Sequence, residues 1–140
     1  MYLTTRGIIL RRELVGESDI NFTVLTYDRG KIRMRARGAR KLNAKIARHL
    51  DHGTVVTFEL KRTGSTNLCI GSSDPKVIIS TRAYSHYEAA VVLLRLAETL
   101  APYDAPEPSL AAVLENALAS LVTEPATSAT AFLSQHIRAL

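Results

Sequence analysis

Cations concentrated at positions 29–50 are the residues with the clearest potential for chemistry. This segment holds nine lysines and arginines and no aspartate or glutamate. The whole chain has 18 lysines and arginines, so half of them fall within these 22 residues. Like charges repel one another unless an anion lies beside them. The composition therefore predicts an anion-binding surface, and the segment itself contains no carboxylate to supply the anion.

Residues 31–37 alternate between cationic and apolar side chains, as expected of a strand with one face in a core. Ile32, Met34 and Ala36 share the apolar face. Cations on the other face are about 6.6 Å apart, from a rise of about 3.3 Å per residue, close to the phosphate spacing of an extended nucleic-acid strand. The positive track continues into residues 42–50, whose alanine content favours helical turns. The predicted nucleic-acid-binding residues are Lys31, Arg33, Arg35, Arg37, Arg40, Lys41, Lys45 and Arg48.

The residues alone leave several interpretations of this surface open. Cations at a barrel rim also prevent edge-to-edge pairing, which would make the track a solvated face. An acidic partner protein is a second possible occupant. The third is nucleic acid, DNA or RNA, and the absence of a helix-turn-helix or zinc-finger pattern favours single strands bound with little sequence preference.

The overall composition predicts a globular, cytoplasmic protein. Hydrophobic residues make up 46% and charged residues 22%, as in globular domains. Residues 1–62 contain 14 Lys/Arg and 6 Asp/Glu, whereas residues 63–140 contain 4 and 7, which suggests separate tasks for the two halves. Apolar runs are too short for a membrane span, and the first residues do not resemble a signal peptide.

The order of predicted elements indicates an α+β protein with a five-stranded OB-fold barrel followed by a small all-helical domain. β-Branched and aromatic runs predict strands, with hairpin signals at Asp28-Arg29-Gly30 and Gly64-Ser65. Helical periodicity begins near Tyr84 and is interrupted by prolines. We expect an OB-fold domain at residues 1–80 and a helical domain at residues 81–140. The predicted strands are 8–10, 22–27, 31–37, 55–60 and 67–70, with a possible continuation at 76–79.

Catalytic and metal-binding patterns are weak, and we expect neither an enzyme nor a cofactor. His49, Asp51 and His52 are close in sequence, but further ligands at a recognisable spacing are missing. Cys69 is a single cysteine, which excludes an internal disulfide or a cysteine-based zinc cluster within these residues. A lone cysteine in a strand is more often a small core residue than a nucleophile.

Several motifs in the first 60 residues resemble the amino-terminal domain of the RecO family of bacterial DNA repair and recombination mediators. They are residues 6–11 (RGIILR), 16–19 (GESD), Leu25-Thr26 with 30–32 (GKI), and 37–41 (RGARK). The resemblance implies an OB-fold followed by helices. It also implies a protein without turnover that binds single- and double-stranded DNA and anneals complementary strands. Its implied partners are RecR, in many bacteria RecF, and single-stranded DNA-binding protein, with which it loads the RecA recombinase.

The chain departs from the family pattern in three respects. Family members commonly exceed 200 residues and often carry a four-cysteine zinc element, whereas this chain is 140 residues long. Strand three is richer in arginine, at Arg33 and Arg35. The helices are poor in cations, with Arg82, Arg95 and Arg138, which argues against docking of the acidic tail of single-stranded DNA-binding protein.

Overall fold

The computed structural model of the chain describes residues 1–39, 50–78, 84–106 and 108–123. Five strands precede two helices in these ranges. The helical turns predicted at residues 42–50 and the boundary at residue 80 lie wholly or mostly outside the described residues. The same holds for residues 132–140, where apolar residues at helical spacing predict a third helical stripe. The elements are β1 (Tyr2–Val15), β2 (Asp19–Thr26), β3 (Gly30–Ala36), β4 (Thr54–Thr63), β5 (Thr66–Val77), α1 (Tyr84–Leu100) and α2 (Pro108–Thr123).

The five strands form a closed barrel in the order β1-β2-β3-β5-β4. Neighbouring strands are antiparallel except for β3 and β5, which meet in a parallel contact at Arg35 and Leu68. Closure between β1 and β4 removes the free edges that a flat sheet of this size would expose. This strand order is that of an OB-fold, and the predicted fold class is confirmed.

Apolar residues from alternate positions fill the barrel. Ile32, Met34 and Ala36 of β3 are buried there, which confirms the predicted apolar face. Phe22 and Phe58 are completely buried in the same cluster, so the aromatic rings inside the barrel are core residues. Burying a large apolar side chain contributes about 1.5–3 kcal/mol, and these positions therefore determine the register of the strands.

A second apolar cluster joins the outside of the barrel to the two helices. Ile8, Leu10 and Leu25 point outward from β1 and β2 and pack against α1 and α2. Leu93 of α1 and Leu114 of α2 are completely buried in this cluster. The helices thus cover one part of the outer surface and leave the rest uncovered. Neither of the two described helices has the length and apolar character needed to cross a membrane.

Several predicted boundaries differ from the structure. β1 covers Tyr2–Val15, where the sequence predicted a strand at residues 8–10. β5 runs without interruption from Thr66 to Val77, where the sequence predicted two pieces separated at residues 71–75. The register shifts in its pairing with β4, and the positive φ of Asp74, let the strand pass the glycine, serines and proline of that segment. The sequence also predicts Ser109 as the cap of the second helix. Helix α2 instead begins at Pro108, because proline suits the first helical position, and Ser109 lies inside the helix.

The loop between α1 and α2 docks against the turn that begins β3. Asp104 donates its backbone N–H to the carbonyl of Lys31 over 2.9 Å. Tyr103 forms a parallel bridge with Lys31. Gly30 has a φ of 74°, and a Cβ built on it would collide with the backbone of Ala105. A glycine is therefore required at position 30 both for its conformation and for the approach of the loop.

We expect Gly30→Ala to lower the free energy of unfolding by about 3 kcal/mol, combining left-handed strain with overpacking. Urea unfolding of the purified variant measures this loss. Gly64→Ala is the matched control, because Gly64 has a φ of 62° but a Cβ added to it would meet no atom within 4 Å. The control should lose only about 1 kcal/mol. Equal losses in the two variants would mean that the close approach of Ala105 does not stabilise the fold.

Candidate nucleic-acid interface

The outer face of β1, β2 and β3 is organised in cross-strand rows. Ile8 pairs with Leu25, which pairs with Lys31, and this row lies under the helices. The next outward row contains Arg11, Thr23 and Arg33. Directly paired residues have Cβ atoms about 4.5–5.5 Å apart. A polyanion crossing the uncovered part of the sheet would therefore meet cations from more than one strand.

Lys31 is buried at the junction between the barrel and the helices. Its side chain is 6% exposed, and Nζ donates a 2.6 Å hydrogen bond to the carbonyl oxygen of Glu98 in the last turn of α1. A cation at that end satisfies a terminal carbonyl and opposes the negative end of the helix dipole. This placement departs from the sequence-based prediction for Lys31, because its charge stabilises a helix end and is withdrawn from the surface. We leave Lys31 out of the proposed interface.

Arg33 is the first exposed cation of β3. Its Nη2 donates a 3.1 Å hydrogen bond to the hydroxyl of Tyr103, which is a neutral partner, and within the described ranges no carboxylate forms an ion pair with this guanidinium. Arg11 lies two strands away in the same row. Its contact with the carboxylate of Glu98 is long, at 3.6 Å, and its side chain is 57% exposed.

Arg35 is paired with a carboxylate from outside the cationic segment. Its Nε and Nη2 both donate to Oδ2 of Asp19, at 2.9 and 2.7 Å. The sequence analysis found no neutralising group within residues 29–50, and the fold brings one from β2. Arg35 remains 42% exposed, and ion pairs this accessible contribute about 0–1 kcal/mol. A phosphate group can therefore compete for the guanidinium.

The other oxygen of Asp19 organises the turn after β3. Oδ1 accepts a 2.9 Å hydrogen bond from the backbone N–H of Gly38. This bond, followed by the bonds from Arg35, holds the pKa of Asp19 below its usual range. Arg37 precedes Gly38 and is exposed. The carboxylate thus links the 16–19 and 37–41 motifs, a convergence that spacing along the chain does not reveal.

A groove of about 820 Å³ continues the positive surface between the barrel and α1. Arg95 reaches it from the helix and Arg11 from the barrel, and Glu98 is the carboxylate in its wall. The sequence analysis missed these arginines as site residues, because they lie outside the cationic segment and far apart in sequence. The sequence gives only a weak indication of their role: Arg11 directly follows the apolar run Ile8-Ile9-Leu10. The cations that line the groove and are at least partly exposed are Arg11, Arg12 and Arg95. Lys31 also borders the groove, but it is buried and its Nζ is bonded to the carbonyl of Glu98.

The remaining predicted site residues are Arg40, Lys41, Lys45 and Arg48, which lie outside the described residues. Among the residues that are described, no cluster of histidine, cysteine and carboxylate side chains has the arrangement of a metal site. His52 instead forms a 3.0 Å hydrogen bond with the hydroxyl of Tyr87. Burial raises the pKa of the Cys69 thiol to about 11, so the thiolate needed for nucleophilic chemistry is scarce at neutral pH.

Comparison with known proteins identifies the family of this barrel. The family described as "Recombination protein O N terminal" matches residues 1–69, which include the rows on β1–β3. A DNA repair protein RecO from Gloeobacter violaceus is 46% identical over 56 residues, covering 40% of this chain and 22% of that protein. The chain belongs to the RecO family.

Other RecO relatives align with more of the chain. The DNA repair protein RecO of Cutibacterium acnes is 29% identical over 116 residues, covering 81% of this chain and 47% of that protein. That of Frankia casuarinae is 33% identical over 97 residues, covering 67% and 40%. The matches therefore extend from the barrel into the helices. The chain spans less than half the length of each of these RecO proteins.

We expect Asp19→Asn to destabilise the protein in a pH-dependent manner. The lowered pKa of Asp19 means that its ionised form stabilises the fold fully above the ordinary carboxyl value of about 3.9. This contribution is lost as the pH falls through the lower pKa of the folded state. Urea unfolding of both proteins between about pH 2 and pH 7 should therefore give curves that differ at neutral pH and converge in acid. A difference that is the same at every pH would exclude the charge as its cause.

Proposed function

We propose that this chain is the nucleic-acid-binding part of a DNA repair and recombination protein, and that it grips the sugar-phosphate backbone. The outer face of β2 and β3 is the binding surface. Arg33, Arg35 and Arg37 are its centre, and Arg11 and Arg95 extend it into the groove. The other residues predicted from the sequence, Arg40, Lys41, Lys45 and Arg48, follow these arginines along the chain and lie outside the described residues.

The observation that carries this proposal is the set of exposed guanidinium groups on the uncovered half of a RecO-family barrel. Arg33 and Arg37 are exposed, and Arg35, which is paired with Asp19, keeps 42% of its side chain exposed. Strands 2 and 3 form the surface that OB-folds commonly use for oligonucleotides. Arginine also suits phosphate chemically, because its planar fork can donate two parallel hydrogen bonds to one phosphate group.

Contacts of this kind bind the backbone and carry little sequence information. The proposed protein therefore binds many sequences, and its affinity depends on the release of counterions from the nucleic acid. The carboxylates of Glu13 and Asp19 lie on the same face as the arginines. They reduce the net charge there and favour displacement of bound strands, which suits a protein that must release its DNA.

The wider role follows from the family and is part of the proposal. The chain would bind single- and double-stranded DNA and anneal complementary strands in the cytoplasm, by binding rather than by catalytic turnover. RecR and RecF are the proposed partners in loading the RecA recombinase. Docking of the acidic tail of single-stranded DNA-binding protein is not included, because Arg95 is the sole lysine or arginine of the two described helices.

Charge reversal at Arg33 and Arg37 tests the binding surface. We expect the double variant Arg33→Glu, Arg37→Glu to bind single-stranded DNA more weakly than the wild type. For each phosphate that the variant no longer neutralises, the slope of log affinity against log salt should decrease by about 0.7. Fluorescence anisotropy with a labelled oligonucleotide, measured over a series of salt concentrations, gives both quantities. Mixing complementary strands with each protein then reports annealing, which should fall in parallel.

Lys76→Glu is the matched control for the single variant Arg33→Glu, because each substitution changes the net charge by the same amount. Lys76 is exposed on β5, where it pairs with Val55 of β4, whereas β5 meets β3 at Leu68. Equal weakening in both variants would mean that net charge alone drives binding, and the proposed surface would be refuted. Stronger competition by RNA than by DNA of equal length, without annealing, would favour a general RNA-binding protein. Unchanged DNA binding with loss of a protein partner would favour an adaptor.

A further inference from the structure

An exposed aromatic ring lies beside the arginines of β3 and comes from the helical half of the chain. Tyr103, in the loop between α1 and α2, is 46% exposed. Phe22 and Phe58 are completely buried in the barrel, so these barrel rings cannot contact a nucleobase. Tyr103 places an accessible ring on the outside of the barrel, beside Arg33.

The backbone of Tyr103 and of the two residues after it is held against the start of β3. The neighbouring Asp104 N–H is bonded to the carbonyl of Lys31, and Ala105 packs against Gly30. The Tyr103 hydroxyl accepts a 3.1 Å hydrogen bond from Arg33. Ordering an aromatic side chain before a ligand arrives removes part of the entropic cost of binding. Tyr103 is therefore preorganised beside the cation that would meet the backbone.

The two faces of the ring have different surroundings. Lys31 Nζ lies 4.1 Å from the ring centroid, and Lys31 itself is buried. The face towards Lys31 is therefore directed into the protein, in a cation–π contact. Because Tyr103 is 46% exposed, accessible area remains on the ring away from its contact with Lys31. The guanidinium of Arg33 lies 5.6 Å from the same centroid.

We propose that the outward face of Tyr103 is a stacking platform for one base of a nucleic-acid strand whose phosphate is bound by Arg33. This inference rests on the proposed function and adds a residue that recognises bases rather than backbone. A base is favoured over an acidic peptide as occupant because stacking needs a flat partner, and nucleic-acid strands supply flat bases beside phosphates. Cationic grooves combined with aromatic rings are the usual means of binding single strands without sequence preference.

The test compares two ligands of equal charge. One is an oligothymidine strand and the other a strand of abasic sugar-phosphates with the same number of phosphates. We expect the 140-residue chain to prefer the base-bearing strand by about five-fold or more, from the lower limit for stacking a base on an aromatic side chain. Tyr103→Leu should lose this preference and still bind the abasic strand. Tyr103→Phe keeps the ring and should keep the preference.

Tyr2→Leu is the matched control. Tyr2 is 69% exposed and has Lys61 Nζ 5.9 Å from its ring centroid, but it lies at the start of β1, where this strand pairs with β4. The control should retain the full preference for bases. Fluorescence of an oligonucleotide containing 2-aminopurine gives a readout in the unaltered protein, because stacking on an aromatic ring should quench it.

The outcomes separate this inference from the proposed function. Equal affinity of the wild type for both strands, or a preference that survives Tyr103→Leu, would overturn the stacking role and leave backbone binding intact. A Tyr103→Leu variant that weakens binding to both strands equally and melts at a lower temperature would show that Tyr103 only fastens the loop. Failure of the wild type to bind either strand at low salt would instead refute the proposed function.

Discussion

Closure of the barrel is the constraint on which the site depends. In a closed sheet a side chain of β3 can point only into the core or out of it. Ile32, Met34 and Ala36 take the interior, because apolar area is stabilised by leaving water. The cations between them must then face outward together. Their shared direction follows from burial of their neighbours and needs no attraction among the cations, which repel one another.

The helices then decide which of these outward cations remain accessible. They cover the row that contains Ile8 and Leu25, and Lys31 at the end of this row becomes part of the junction. Arg33 begins the accessible part. The helical segment thus shapes the proposed nucleic-acid surface in three ways: it covers one side of the barrel, it supplies Arg95 to the groove, and its loop carries Tyr103.

Asp19 holds Arg35 in place and still leaves its guanidinium accessible to a ligand. Its carboxylate ties Arg35 on β3 to Gly38 in the following turn, so Arg35 has a defined position before any ligand binds. Because a solvent-accessible ion pair is weak, Arg35 can exchange Asp19 for a phosphate group. The carboxylate of Asp19 thus stabilises the fold and neutralises Arg35 when no phosphate is bound.

The sequence by itself determined the barrel, because a period of two with turn residues between the runs specifies strands, their order and the apolar face of β3. It also determined the family, through motifs in the first 60 residues. It could not show that Lys31 is buried under the helices or that Asp19 pairs with Arg35. Nor could it show that Arg11, Arg95 and Tyr103 lie near the cations of β3. These features depend on contacts between residues separated by 16 to 70 positions. Only tertiary structure decides such contacts, because local periodicity specifies the face a residue occupies and not the element that packs against it.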